Sequence, residues 1–142
     1  ELIRFVQQRH GHCSAERVLS GAGLALIHEH LSGGETIDAP VVAQRYDAGD
    51  ATATASFELF FRLLGSVAGN LALTAGAFGG VYIGGGIVPR QPDRFARSAF
   101  RDAFESKGRY REYLQDIATL AIVTEHPTLT GLAACARQRI NR

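Results

Sequence analysis

The sequence predicts a helix-rich α/β fold with few strands. Apolar side chains recur at helical spacing along most of the 142 residues, and the longest such stretch covers residues 51–75. Only two short runs, residues 81–83 and 120–123, have the apolar and β-branched character of buried strands. Because two strands make a poor sheet by themselves, we expect the other strands of the fold to belong to chain that precedes Glu1.

Composition fits one globular domain, or part of a larger fold. The chain is 46% hydrophobic and 20% charged, which allows a real apolar core. The net charge of +1 gives no reason to expect nucleic acid as a partner. Cys13 and Cys135 lack the spacing of a disulfide framework or a zinc site, so a reducing cytoplasm is the expected compartment.

The first third of the chain predicts a series of helices. Residues 1–9 form the first helix, which ends at Gly11. Ser14 is the expected N-cap of a short helix that stops at Gly21, and residues 22–31 form the next helix. A further short helix is expected over residues 41–46.

Four histidines lie in or near these helices. His10 and His12 flank a glycine, and we weigh a metal role for them against ordinary exposed loop residues, with the loop reading favoured. His28 and His30 lie on different faces of one predicted helix, and both are expected at the surface.

Asp50 is a good N-cap for the longest helix, residues 51–75. Three polar residues interrupt its apolar run, which argues against a membrane span, and they are Glu58, Arg62 and Asn70. We expect Asn70 to make a hydrogen bond within the core. Gly65 and Gly69 allow another backbone to approach closely, and the expected partner is the strand over residues 81–83.

The second half of the chain predicts two more helices and the second strand. Pro92 begins an amphipathic helix that continues to Gly108, and its polar face is expected in solvent, with Arg94, Arg97, Arg101 and Asp102. The strand over residues 120–123 follows, and a last helix runs from Thr128 to Ile140.

Two features have both a functional and a purely structural interpretation. Gly84, Gly85 and Gly86 follow the first strand, where α/β folds bind nucleotides against bare backbone, but a tight turn beneath a crossing helix is about equally consistent. Neither standard phosphate loop fits, because Pro89 stands where the Rossmann fingerprint needs a third glycine, and because the one lysine, Lys107, is not part of a Gly-Lys-Ser/Thr motif. Glu16 could bind a ligand, although the helix dipole alone favours a carboxylate in a first turn.

Three motifs in this order resemble the bacterial glucokinase family, within the superfamily of sugar kinases, actin and Hsp70-like ATPases. They are Ser14 to Gly21, Gly69 to Leu73, and Phe78 to Arg90. The resemblance implies the C-terminal part of a ribonuclease H-like sugar kinase fold. Residues 1–126 would then belong to the large domain, and residues 127–142 would form a helix that packs on a small N-terminal domain.

The resemblance also implies an activity, the ATP-dependent phosphorylation of glucose to glucose 6-phosphate with Mg²⁺. Glu16 would bind the hexose hydroxyls, while Gly84, Gly85 and Gly86 would bind adenosine. The catalytic base and the phosphate loops would lie upstream, and no metal ligand is expected in this chain, so this chain alone is expected to be inactive. A cytoplasmic homodimer is expected. The alternative is a non-catalytic sugar-sensing or dimerisation module of a larger regulatory protein.

Overall fold

A computed structural model describes residues 1–140 and confirms the helix-rich α/β class, with two parallel strands in the described chain. In chain order the elements are α1 (Leu2–His10), α2 (Ala15–Val18), α3 (Gly21–Ser32), α4 (Ala39–Asp47), α5 (Ala51–Ala75), β1 (Val81–Ile83), α6 (Pro92–Arg97), α7 (Phe100–Glu105), α8 (Arg111–Gln115), β2 (Thr119–Ala121) and α9 (Pro127–Ile140).

Helix α5 is the centre of the core. It has the predicted bounds because the Asp50 carboxylate accepts a 2.7 Å hydrogen bond from the Ala53 amide, and because Gly76 ends the helix in the left-handed conformation. Phe57 and Phe61 are each 1% exposed and lie in the core cluster that α3, α4 and α7 complete.

A seam of two glycines joins α5 to α7. A Cβ atom at Gly65 would overlap the carbonyl oxygen of Phe100, and one at Gly69 would overlap that of Phe104. The close approach predicted from the glycines is therefore present, but its partner is α7 and the predicted strand partner is wrong. Helix α7 can come this close because neither glycine has a side chain that would hold the helices apart.

The predicted single helix from Pro92 to Gly108 is also wrong, because the chain breaks between α6 and α7. Ser98 is extended, with φ −80° and ψ 171°, and its hydroxyl accepts from the Phe100 amide at 3.2 Å. The break lets aromatic rings of both helices meet, with 4.6 Å between the ring centroids of Phe95 and Phe100.

Arg101 was predicted to face solvent, but its guanidinium binds backbone carbonyl oxygens of a later segment of the chain. Its guanidinium donates to the carbonyl oxygens of Leu114, Gln115 and Ile117 at 3.0, 2.9 and 2.7 Å. The same group pairs with Glu105 at 2.6 Å. Arg101 therefore satisfies the free carbonyls at the end of α8 and fixes the chain that enters β2.

The two strands pair in parallel, with Val81 opposite Thr119 and Ile83 opposite Ala121. The prediction of two buried strands is only partly right, because Ile83 is 8% exposed whereas Tyr82 is 63% exposed. Leu120 and Val123 are exposed as well. Within residues 1–140, one face of this pair packs on the core and the other is uncovered.

Three polar or glycine positions differ from expectation. His28 is buried, because it shares a face of α3 with Leu24, one helical turn earlier. Asn70 is exposed and makes no core hydrogen bond, because it lies beside the buried stripe that contains Gly69. Gly21 begins α3 and does not end α2, because the Ser20 hydroxyl caps the new helix by accepting from the Gly23 amide at 3.1 Å.

Helix α9 has no buried residue. Its leucines Leu129 and Leu132 are 64% and 61% exposed. Its packing on an N-terminal domain stays a prediction, and residues 141 and 142 of the predicted C-terminal unit lie outside the described residues. No helix among residues 1–140 is long and apolar enough to cross a membrane.

Candidate functional site

The short helix α2 presents Glu16 to solvent. The helix begins at Ser14, whose hydroxyl accepts from the Arg17 amide at 3.2 Å. It is held against α3 at Gly23, where a Cβ atom would overlap the backbone of Val18. The contact between α2 and α3 thus fixes the position from which the exposed Glu16 carboxylate projects.

Glu16 lines an open cavity of about 530 Å³, which we call the Glu16 cavity. Its walls come from the end of α1, from α2, from one side of α3 and from the segment 36–38 that precedes α4. The wall contains both carboxylates and guanidinium groups, a lining typical of a site that binds a polar ligand through many hydrogen bonds.

An ion pair between a buried carboxylate and an exposed guanidinium, missed by the sequence interpretation, forms part of the same wall. Glu29 on α3 is only 4% exposed, and both of its oxygens accept from the guanidinium of Arg9 on α1. The pairing satisfies a carboxylate that would otherwise be costly to bury. The two residues lie twenty positions apart on separate helices, so no local pattern could have indicated their contact.

Gly84, Gly85 and Gly86 follow β1 and are all exposed. Gly85 has φ +117°, a conformation that favours glycine. A Cβ atom at Gly85 or Gly86 would meet no described atom within 4 Å, and one at Gly84 would lie an ordinary 3.6 Å from Ile122 Cδ1. A helix crossing tightly over the turn therefore does not explain these glycines, and their backbone is open to a ligand.

Gly86 lines a second cavity of about 310 Å³, the Gly86 cavity. Most of its lining is apolar, from the other side of α3, the start of α4 and Phe57 of α5. Arg90 and Gln91 are the polar side chains among its described lining residues. An apolar slot beside open backbone suits a flat aromatic ring with a polar edge.

The structure therefore does not bring Glu16 and the three glycines into one cavity. Glu16 and Gly86 line separate cavities that share α3 and the chain around the start of α4, and Gly84 and Gly85 line neither of the two. His10 borders the Glu16 cavity and is exposed, as is His12. Among residues 1–140, no three His, Cys, Asp or Glu side chains are grouped so that they could hold a metal ion.

Comparison with known proteins gives the family. The glucokinase family model matches residues 1–139, so this chain belongs to the glucokinase family. It is 50% identical over 137 residues to the glucokinase of Chromobacterium violaceum, and 48% identical over 141 residues to that of Aromatoleum aromaticum. These matches cover 92% and 94% of this chain, and 39% and 42% of the two relatives.

Two further matches support the same conclusion. The chain is 38% identical to the bifunctional protein glk of Paraburkholderia xenovorans, over 99% of this chain and 23% of that protein. A crystal structure of glucokinase from an Antarctic psychrotroph superimposes with a TM-score of 0.88 at 32% identity, covering 96% of this chain and 44% of that one. The chain thus spans less than half the length of each relative described.

Proposed function

We propose that the full-length protein containing this chain phosphorylates glucose at its 6-hydroxyl with ATP, and that this chain supplies one wall of the hexose site and the adenosine site. The observation that carries the proposal is the exposed Glu16 carboxylate in the lining of an open cavity, in a chain of the glucokinase family. The names of the relatives, which are glucokinases, support the same substrate.

The Glu16 cavity is the proposed hexose site. A carboxylate accepts hydrogen bonds from two neighbouring sugar hydroxyls at once, and the helix α2 that carries it is pinned against α3. Such fixed acceptors orient the sugar so that one hydroxyl faces the phosphoryl donor. In this proposal Glu16 binds substrate and does not act as the catalytic base.

The Gly86 cavity is the proposed adenosine site. The open backbone of Gly84, Gly85 and Gly86 would support the ribose, and the apolar walls from Leu24 and Phe57 would enclose the base. The position after β1 also fits, since α/β folds bind nucleotides at the carboxyl ends of their strands.

Phosphoryl transfer also needs charge compensation and a base for the attacking hydroxyl, and Mg²⁺ supplies the charge compensation when it is bound with the nucleotide. The described residues of this chain do not form a site that fits the ion. We therefore assign no Mg²⁺ ligand and no base to residues 1–140, and expect this chain alone to be inactive. A cytoplasmic homodimer remains the proposed state of the whole protein.

The second candidate is a sugar-sensing or dimerisation module without catalysis. The same Glu16 cavity favours it, because hydrogen bonds to sugar hydroxyls serve a sensor as well as a kinase. The match to a protein called bifunctional, of which this chain covers 23%, is a second reason to keep it.

The deciding experiment is a coupled assay of glucose phosphorylation by the full-length protein and its Glu16→Gln variant. We expect activity in the wild type, and in the variant a KM for glucose raised at least about tenfold with little change in the KM for ATP. Glu112→Gln is the matched control, because Glu112 is also an exposed carboxylate in the first turn of a short helix.

Three results would contradict parts of the proposal. Equal kinetics for the Glu16→Gln variant and the wild type would remove the hexose role of Glu16. Equal rises in the KM for glucose in the Glu16→Gln and Glu112→Gln variants would assign the effect to the loss of a carboxylate from the first turn of a helix, where it interacts with the helix dipole. Glucose binding without phosphoryl transfer would favour the sensing module.

A further inference from the structure

The imidazole of His28 is completely buried on α3, yet among residues 1–140 only one of its two nitrogens has a hydrogen-bond partner. His28 Nδ1 lies 3.3 Å from the hydroxyl of Ser56 on α5. His28 Nε2 has no hydrogen-bond partner among the described residues. A buried polar atom without a hydrogen-bond partner costs free energy of folding, so we expect a specific reason for the burial of His28.

The bond to Ser56 fixes the orientation of the ring. The Ser56 hydroxyl lies 2.7 Å from the Thr52 carbonyl oxygen and shares its hydrogen between that oxygen and His28 Nδ1. The ring hydrogen is then on Nε2, which points the opposite way and can donate to a carboxylate. The ring is thereby tied to the longest and most buried helix of the fold.

His28 Nε2 faces the segment that enters α4. It lies 3.6 Å from Glu35 Oε2, just beyond hydrogen-bond length, so a shift of about 0.5 Å would bring the two atoms into contact. Glu35 is itself oriented by Arg45 of α4, whose guanidinium donates to both carboxylate oxygens at 2.7 Å. Glu35 therefore stands between a core histidine and α4.

The same segment forms a wall of the Glu16 cavity. Thr36, Ile37 and Asp38 line that cavity directly after Glu35. The segment leaves α3 through Gly33 and Gly34, whose φ angles are +80° and +122° and which have no side chains to hold it. The Glu35 amide donates to the Ser32 hydroxyl at 3.0 Å and Ile37 packs against the core, and the side-chain contacts of Glu35 add to these in holding the segment.

We infer that His28 is a positioning residue for the hexose site: it holds the segment 35–38 through Glu35 and ties this wall of the cavity to helix α5. The inference rests on the proposed function, since it takes the Glu16 cavity as the place where the sugar binds. His28 itself touches no substrate, because its side chain is completely buried.

The test uses the full-length protein and its His28→Gln variant, with KM measured separately for glucose and ATP. We expect the KM for glucose to rise about tenfold, while the KM for ATP changes less than about twofold. His30→Gln is the matched control, because His30 lies on the same helix but contacts the ring of Phe5 on α1, away from the segment 35–38. It should leave both KM values near those of the wild type.

A second variant covers the case in which His28→Gln does not fold. Glu35→Gln changes the other half of the contact at a side chain that is 45% exposed, and it should raise the KM for glucose in the same direction. Unchanged KM values for glucose in these variants, or equal rises in the KM for both substrates, would overturn the inference.

Hydrogen exchange separates a failure of this inference from a failure of the proposed function. If the wild type does not phosphorylate glucose, the kinase proposal fails, but the amides of residues 35–38 should still exchange faster in His28→Gln than in His30→Gln. Equal exchange in the two variants would show that His28 does not hold the segment.

Discussion

Substitution of Gly65 by alanine should destabilise the protein, although alanine is the better helix former. Gly65 lies inside α5, where alanine alone would stabilise the helix by about 1 kcal/mol. The new Cβ atom would overlap the Phe100 carbonyl oxygen, which is backbone and cannot rotate away. Helices α5 and α7 would have to separate by roughly 1 Å, in an interior packed as densely as a crystal.

The expected loss in the free energy of unfolding follows from the buried contacts that this separation weakens. Phe100 and Phe104 are 2% and 0% exposed, and complete loss of one buried phenylalanine costs about 3–5 kcal/mol. Overpacking without a complete loss of contacts costs about 1–3 kcal/mol. The clash is with backbone, which places it at the upper end of that range, so with about 1 kcal/mol of helix propensity subtracted we expect Gly65→Ala to lower the free energy of unfolding by about 2 kcal/mol.

The assay is equilibrium urea unfolding of the full-length protein, followed by far-ultraviolet circular dichroism. Asn70→Ala is the control, because Asn70 is an exposed residue of the same helix, where alanine adds helix propensity without approaching α7. It should leave the free energy of unfolding unchanged or slightly higher. A Gly65→Ala variant as stable as the wild type, within about 0.5 kcal/mol, would refute the reasoning.

Three further predictions follow from the same contacts. Gly23→Ala should push α2 away from α3 and lower the free energy of unfolding by about 2 kcal/mol. Because Glu16 moves with α2, the KM for glucose should also rise, and an unchanged KM would contradict this prediction. Arg101→Lys should cost about 2 kcal/mol in urea unfolding, because an ammonium cannot span the carbonyls that the guanidinium joins; wild-type stability would argue against an anchor. The hydrogen bond from Arg45 lowers the pKa of Glu35. The contribution of ionised Glu35 to the free energy of unfolding should therefore be present at neutral pH and lost as the pH falls below about 4. Acid-unfolding curves of Glu35→Gln should lack this contribution, and curves identical to those of the wild type would contradict it.

The sequence was most informative where one residue determines local structure. Asp50 and Gly76 fix the ends of α5, and the helix has the predicted bounds. The strand over residues 81–83 was found in place, because a β-branched and aromatic run before three glycines has few other local structures. Caps and turns act over a few residues, so their signals are readable without the rest of the fold.

Gly21 shows where local signals compete. A glycine after an apolar run predicts a helix end, but Ser20 before it is a better N-cap for the next helix. Both signals are local, and the hydrogen bond from the Gly23 amide to the Ser20 hydroxyl decides between them. The break at Ser98 has the same origin, since its hydroxyl replaces a helical hydrogen bond.

The remaining errors depended on contacts between distant parts of the chain. His28 shares the buried face of α3 with Leu24, but the partner of its Nδ1 is Ser56, twenty-eight positions away, and the seam at Gly65 is completed by Phe100. The Glu16 cavity could not be outlined from sequence either, because Arg9 and Glu29 meet only after α1 packs beside α3. Motif resemblance indicated Glu16 itself, but not its neighbours.

Helix α3 has a consequence for cooperativity between the two cavities. Gly21 and Leu24 line the Gly86 cavity, whereas Ala22 and Ala25 line the Glu16 cavity, so one helical turn separates them. A displacement of this turn toward one cavity enlarges the other. In the proposed kinase, a ligand that shifted the turn from one side would change the affinity for the ligand on the other side, and thermodynamic linkage would require the reverse effect to be of the same factor.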